Sequence, residues 1–192
     1  MRLDRPAEKV APELLGASLY AGGVTVRLTE VEAYGGQGAD PASHAHRGPT
    51  PRSQIMWGPA GRLYVYFSYG MHWCANVVTG PVGEASAVLL RAGEVVAGIE
   101  LARSRRPGAS DRDLCRGPAR LAKALGLDAA ALGLDLLDPT SPVRLLDRPH
   151  TGRVLAGPRV GVALGAQTAW RFWLADEATV SPYRPSVRRV PR

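Results

Sequence analysis

The stretch Glu30-Val31-Glu32-Ala33-Tyr34 sets two carboxylates and a phenol ring at alternate positions. It follows Val24-Thr25-Val26-Arg27-Leu28, whose apolar and polar residues alternate as in a half-buried strand. Side chains of a strand repeat every second residue, so Glu30, Glu32 and Tyr34 are expected on the core-facing side with Val24, Val26 and Leu28. A carboxylate among apolar side chains is costly unless it is paired, hydrogen-bonded or protonated. That cost is accepted most readily where the acid has chemistry to do. Acids beside an aromatic ring suit hydrolysis of a bond to something flat. Arg91 ends the apolar run Ala87-Val88-Leu89-Leu90 and needs a carboxylate partner. It is either a structural salt bridge or, paired with Glu32, a group that keeps the acid ionised and helps to fix a water.

Other residue types divide between chemistry and packing. Tyr34, Tyr64 and Tyr66 could line an aromatic cage or pack as ordinary cross-strand pairs. Rings and a histidine around a flat space would hold an extruded base by stacking, at ~1–3 kcal/mol per base. Tyr69 falls in the turn Ser68-Tyr69-Gly70-Met71, where Gly, Asn, Asp and Pro are favoured. It either folds back on its own sheet or projects as a wedge between DNA base steps. His44, His46 and His72 with Cys74 make a weak metal set, since neither C-x-x-C nor H-E-x-x-H accompanies them. The His-x-Glu and Pro-Cys-x-x-Cys pattern of a zinc deaminase is missing too. There is no Gly-rich phosphate loop and no G-x-S-x-G.

The elements that must position these groups read as a mixture. A short helix over 6–15 is stopped by Gly16, and a strand covers 24–34. A long loop over 35–61, rich in Gly, Pro, Ser and His, is of a length usually tied to function. Strands over 62–67 and 72–78 flank the Tyr69 turn, and Ser86–Arg91 is a buried strand. Helices are expected over Glu94–Arg106 and Gly117–Leu125, and late strands over Arg159–Ala163 and Arg171–Ala175. Without regular βαβ alternation, the class is α+β, with a mainly antiparallel sheet, in one domain spanning 1–192. The 192 residues and 45% apolar content suit one substantial core. A net charge of +7 favours an anionic partner, nucleic acid first. GC-rich coding gives the same imbalance, because all the basic residues but Lys9 and Lys123 are arginine. Two cysteines make no disulfide framework. No apolar leader opens the chain and no run is long enough for a membrane, so a cytoplasmic protein is expected.

In order along the chain stand Glu30-Val31-Glu32-Ala33-Tyr34, Ala42-Ser43-His44, Thr50-Pro51-Arg52 and Gly61-x-x-Tyr64-Val65-Tyr66-x-x-Tyr69-Gly70-Met71-His72-x-Cys74-x-Asn76. Ala87-Val88-Leu89-Leu90-Arg91-Ala92, Leu114-Cys115-x-Gly117-Pro118 and Arg159-Val160-Gly161-Val162 follow. This ordered set resembles the alkyladenine (3-methyladenine) DNA glycosylase family, of the human alkyladenine glycosylase type, from about residue 10 to about 183. The resemblance implies a curved antiparallel sheet with a protruding β-hairpin and surrounding helices. It implies that Glu32 is the general base for a water positioned by Arg91 and the peptide at Val160. Tyr34, His44 and Tyr66 form the base pocket, with Asn76 at its floor against the 2-amino group of an undamaged guanine. Tyr69, with Met71 beside it, enters the minor groove. From their place on the hairpin side, flanking that probe, Arg52 and Arg62 are better candidates for phosphate contacts than the cluster Arg103, Arg105 and Arg106, since a charge run at a helix end is usually a solvated face. The partner implied is double-stranded DNA carrying alkylated or deaminated purines, bound by a monomer associated with the nucleoid and without cofactor or metal. A lyase step needs an amine nucleophile, and neither lysine lies in a motif. Two positions depart from the family: Ser53 stands where Asn is usual and Trp57 where Phe is usual, both on the loop bordering the pocket. A non-catalytic damaged-DNA-binding module on the same scaffold, and a metal-dependent hydrolase using the histidines, are the rival readings.

Overall fold

The computed structural model describes residues 1–148, 150 and 152–186; positions 187–192 of the expected domain lie outside the described residues. In chain order the elements are α1 (Ala7–Leu14), β1 (Ser18–Ala21), β2 (Val24–Tyr34), β3 (Leu63–Ser68), β4 (His72–Val78), β5 (Ala87–Ala97), α2 (Ile99–Arg105), α3 (Pro118–Leu125), β6 (Val143–Leu146), β7 (Val154–Gly157) and β8 (Arg171–Leu174). The strands form one antiparallel sheet in the order β3-β4-β5-β2-β1-β6, to which the β7–β8 hairpin joins along β2. The fold is a mixed α+β domain with an antiparallel sheet, as the residue pattern leads one to expect, and the sheet is curled into a half-barrel, as the resemblance implies. Helices α1 and α3 bury Val10, Ala11 and Leu14, and Leu121, Ala122 and Leu125, in the main apolar cluster against the sheet.

Strand β2 is the spine. It pairs with β5 along its length, and its other edge is shared by β1 at Val24–Arg27 and β8 at Glu30–Glu32. Where the edge partner changes, the ladder to β5 reads Leu28↔Gly93, Glu30↔Ala92, Val31↔Leu90, so Thr29 and then Arg91 have no opposite residue. Each extra residue bends and twists the strand. Past the bulge the β2 residues in the main apolar cluster are Val31 and Ala33, whereas before it they are Val24, Val26 and Leu28. The expectation that Glu30, Glu32 and Tyr34 share the core face is therefore corrected. The bulge turns them to the opposite face, where they meet arginines and backbone amides instead of aliphatic side chains.

Three further expectations change. The segment Glu94–Ala97, read as the start of a helix, continues β5, because it pairs with Thr25–Arg27 and Arg27 bonds Glu94 at 2.8 Å. The helix starts only at Ile99. The strand placed at Arg159–Ala163 is a turn; the strand lies earlier, at Val154–Gly157, and Pro158, which has no N–H to donate, ends it. Strand β1 was not foreseen, although Gly22-Gly23, both at positive φ, make the two-residue hairpin that pairs Ala21 with Val24. No helix among the described residues is long and apolar enough to cross a membrane.

Candidate active site

Glu30 and Glu32 are both fully buried, and their partners differ. Glu30 Oε1 accepts from Arg91 Nε and Arg171 Nε, each at 2.8 Å, and Oε2 accepts the Ser181 amide at 2.7 Å. Burial pushes its carboxyl up, but Arg91 and Arg171 outweigh that and hold it below the usual carboxylate range. Glu30 is thus a structural anion. Glu32 Oε1 accepts the Val160 amide at 2.7 Å; Oε2 accepts the Tyr34 hydroxyl at 2.9 Å and Arg91 Nη1 at 3.2 Å. Three donors fill three of the about four acceptor sites of a carboxylate. Burial, and then the charge of Glu32, push Tyr34 well above its ordinary value, so its hydroxyl stays a donor.

Arg91 and Val160, which hold Glu32, line a cavity of about 660 Å³, within the usual range for a small-ligand site. Glu32 lies just behind them in its wall. The same cavity brings together Tyr34, His44, Arg52, Tyr66, Tyr69 and Asn76. The His44 and Tyr66 rings meet edge to face with centroids 4.6 Å apart, and Tyr64 backs them, its hydroxyl 3.0 Å from His44 Nδ1. His44 keeps an edge open to solvent, yet packing against these rings, and then the charge of Arg52, push it down to about 4. Asn76 is pinned by its amide to the Tyr64 carbonyl at 3.0 Å. The bond follows from the β3–β4 ladder, which sets Tyr64 opposite Asn76.

Tyr69 stands at the hairpin tip with 87% of its surface exposed, and Met71 beside it is exposed without lining the cavity. The fold-back reading of Tyr69 is therefore excluded. Arg52 lies at the cavity mouth with its guanidinium 4.8 Å from the Tyr66 ring. Arg62 is not brought to the tip. It precedes β3 at the hairpin's far end, bonded to the Gly133 carbonyl and 3.6 Å from Asp135, so its placement beside the probe is corrected. The departures Ser53 and Trp57 do not line the cavity either; Ser53 Oγ bonds Thr50 Oγ1 at 2.8 Å, and Trp57 packs on the cluster beneath Tyr64. Among the described residues no three His, Cys, Asp or Glu side chains converge as metal ligands do.

Several positioning groups escaped the sequence reading. Asp40 and Arg159 form a fully buried pair at 2.6 and 2.8 Å that ties the long loop to the turn carrying Val160. Burial pushes Asp40 up, but Arg159 and the amides of Gly35 and Ala42 outweigh it and hold it low. Arg159 also lies over the Tyr34 ring at 4.7 Å. Arg171 opens the apolar run of β8 as Arg91 follows the apolar run Ala87-Val88-Leu89-Leu90, so the argument that gave Arg91 a carboxylate partner was available for it too.

A ring-lined cavity backed by a buried carboxylate is a setting for cleaving the bond to a flat heterocycle. A net charge of +7 favours an anionic carrier for that heterocycle, nucleic acid first, and the combination is that of the DNA glycosylases. Residues 1–178 match the family described as methylpurine-DNA glycosylase (MPG), and the chain belongs to it. A protein of Frankia casuarinae is 55% identical over 197 residues, which cover 96% of this chain and 92% of that one. Relatives from Nocardia farcinica (55% over 185 residues, 93% and 87% covered) and Leifsonia xyli (54% over 188 residues, 92% and 87% covered) are equally close. All three carry the provisional name 3-methyladenine DNA glycosylase. The chain is thus a DNA glycosylase, a hydrolase of DNA repair, and the reading of a non-catalytic binding module is set aside.

Proposed function

We propose that this enzyme flips alkylated or deaminated purines out of duplex DNA and hydrolyses the N-glycosidic bond with a water activated by Glu32. The observation that carries the reading is the setting of Glu32, a buried carboxylate fixed by Arg91, Tyr34 and the Val160 amide, all three of them residues that line the cavity. Tyr69 inserts in the minor groove and replaces the stacking of the extruded nucleotide. Extrusion costs a few kcal/mol and costs least at damaged pairs. His44 and Tyr66, with Tyr34, receive the base. Asn76, pinned at the floor, crowds a 2-amino group. As the bond breaks through an oxocarbenium-like state, Glu32 takes the proton of the water that adds to C1′, a carboxylate role known from glycoside hydrolysis. Lys9 on α1 and Lys123 on α3 do not line the cavity, so no Schiff base forms and the products are a free base and an abasic site. The substrates are the class of 3-methyladenine, 7-methylguanine, hypoxanthine and ethenoadenine. The enzyme works as a monomer in the cytoplasm, on the nucleoid.

The test is incubation with duplexes carrying each lesion, scored for free base and alkali-labile sites, for the parent and Glu32→Gln. The amide keeps the shape but takes no proton, so excision should fall about 10²–10⁴-fold while lesion binding persists. Near-parental turnover by Glu32→Gln would sink the mechanism.

A further inference from the structure

Beyond residue 178, where the family match ends, the chain crosses the rear of the site as a strap. Thr179 Oγ1 lies 2.8 Å from Thr29 Oγ1, on the bulge that turns the acids. The Val180 carbonyl accepts from Arg116 Nε at 2.8 Å. Ser181 then engages the ion cluster with all of its polar atoms. Its amide and hydroxyl donate to Glu30 at 2.7 and 2.9 Å, its carbonyl accepts from Arg171 Nη2 at 2.6 Å, and its Oγ lies 3.4 Å from Arg91 Nη2. Three residues on, the Arg184 carbonyl accepts the Gly161 amide at 3.1 Å. The strap therefore grips two of the three groups that hold Glu32, namely Arg91 through Ser181 and the Val160–Gly161 turn through Arg184.

We infer that this strap is a positioning device for the hydrolytic step, with Ser181 its key side chain. Arg91 divides its guanidinium between Glu30, by Nε, and Glu32, by Nη1. With four or more rotatable bonds, that side chain holds one geometry only if its other contacts are fixed. Glu30 is fixed in turn by Arg171 and by Ser181. Ser181 does not line the cavity; it acts through Glu30 and Arg91 on the carboxylate. Groups in such a role change the rate of the chemical step, because small misplacements of a reacting group are costly.

The inference rests on the reading of Glu32 as the base that directs water, and the experiment separates the two. Single-turnover excision rate, lesion-DNA Kd and melting temperature are measured for the parent, Glu32→Gln, Ser181→Ala, Ser181→Thr, Arg91→Lys and the double variant Ser181→Ala/Arg91→Lys. Ser181→Ala keeps the amide bond to Glu30 and loses the hydroxyl. Its excision rate should fall by about 10-fold to 100-fold, as for a catalytic group displaced by a fraction of an ångström to an ångström. Its Kd should stay within about twofold, and Ser181→Thr, which restores the hydroxyl, should recover most of the rate. In the Arg91→Lys background, where the shared guanidinium is gone, Ser181→Ala should add little, since residues acting as a unit are not additive. A parental rate for Ser181→Ala beside an inactive Glu32→Gln overturns the strap's role and leaves the reading of Glu32 intact. Rate, binding and melting temperature falling together, with full additivity in the double variant, show a merely structural strap and overturn it also. An active Glu32→Gln overturns the underlying reading itself.

Discussion

His44 is partly open to solvent, yet packing against Tyr64 and Tyr66, and then the charge of Arg52, disfavour the imidazolium and push it down to about 4, which favours an uncharged ring at neutral pH. The state matters to the site. An alkylated purine bearing positive charge is repelled by an imidazolium and accepted by a neutral ring, so on the proposed function the packing of His44 suits a cationic base. The sign of the pH effect follows. The ordinary histidine value of about 6.5 in the unfolded chain lies above the folded one, so protonation favours unfolding. The contribution to stability is intact above pH 6.5 and is lost as pH falls from there toward 4. Titration of the His44 ring followed by NMR should show a midpoint below 5. Arg52→Gln should raise that midpoint without restoring 6.5, since burial, the larger cause, remains. A parental midpoint at 6.5 would mean that the packing of the ring against Tyr64 and Tyr66 is loose in solution.

The hairpin of β3 and β4 breaks a local rule at its tip. Tyr69 has φ 51° and Gly70 φ 65°, the pair of positive values a tight hairpin turn needs, and asparagine or glycine would meet that need more cheaply than tyrosine. A non-glycine residue there is strained by roughly 1–2 kcal/mol, and an exposed ring gains no burial in return. Tyr69→Gly should therefore leave the melting temperature close to the parent's, relief of strain being offset by about 0.5–1 kcal/mol of added chain entropy. Lesion binding, measured on the same protein, should weaken by about 1–3 kcal/mol through the lost stacking. A marked loss of stability with unchanged binding would return Tyr69 to a packing role. This hairpin was legible in the sequence because its residues apart from Tyr69 obey short-range rules, strand-forming runs on either side and glycine in the turn. The aromatic and acidic members of the site were legible for the same reason, since they sit on regular strands or in motifs. Their facing was not. The reversal at Thr29 depends on β2 passing from one edge partner to another, and nothing in residues 24–34 alone records that change. Asp40, Arg159 and Ser181 were hidden likewise, because Asp40 and Arg159 lie 119 residues apart and Ser181 lies 151 residues from Glu30.

Taken over the whole molecule, the +7 charge is less available to DNA than its size implies. The run near the end of α2 is spent internally: Arg103 pairs with Asp111 and Glu100, Arg105 donates to the carbonyls of Gly22 and Ala124, and Arg106 to those of Asp113 and Leu114. Arg62 is engaged with Asp135 and Gly133. Arg52 differs, for it is exposed at the mouth of the cavity and rests on the face of the Tyr66 ring, beside the pocket that also includes Tyr69. A phosphate gripped near the hairpin releases its counterions on binding, so each true contact adds about 0.9 to the slope of log K against log salt on duplex DNA. Arg52→Ala should therefore lower the slope by about 0.9, whereas Arg62→Ala and Arg103→Ala should leave it unchanged. The measurement is a titration of undamaged duplex at several salt concentrations for each variant, which isolates backbone contacts from recognition of the lesion. A slope that is unaltered by Arg52→Ala and lowered by Arg103→Ala would put the duplex against α2. Tyr69 would then point away from the DNA, and the wedge and the flipped base would have to be abandoned with it.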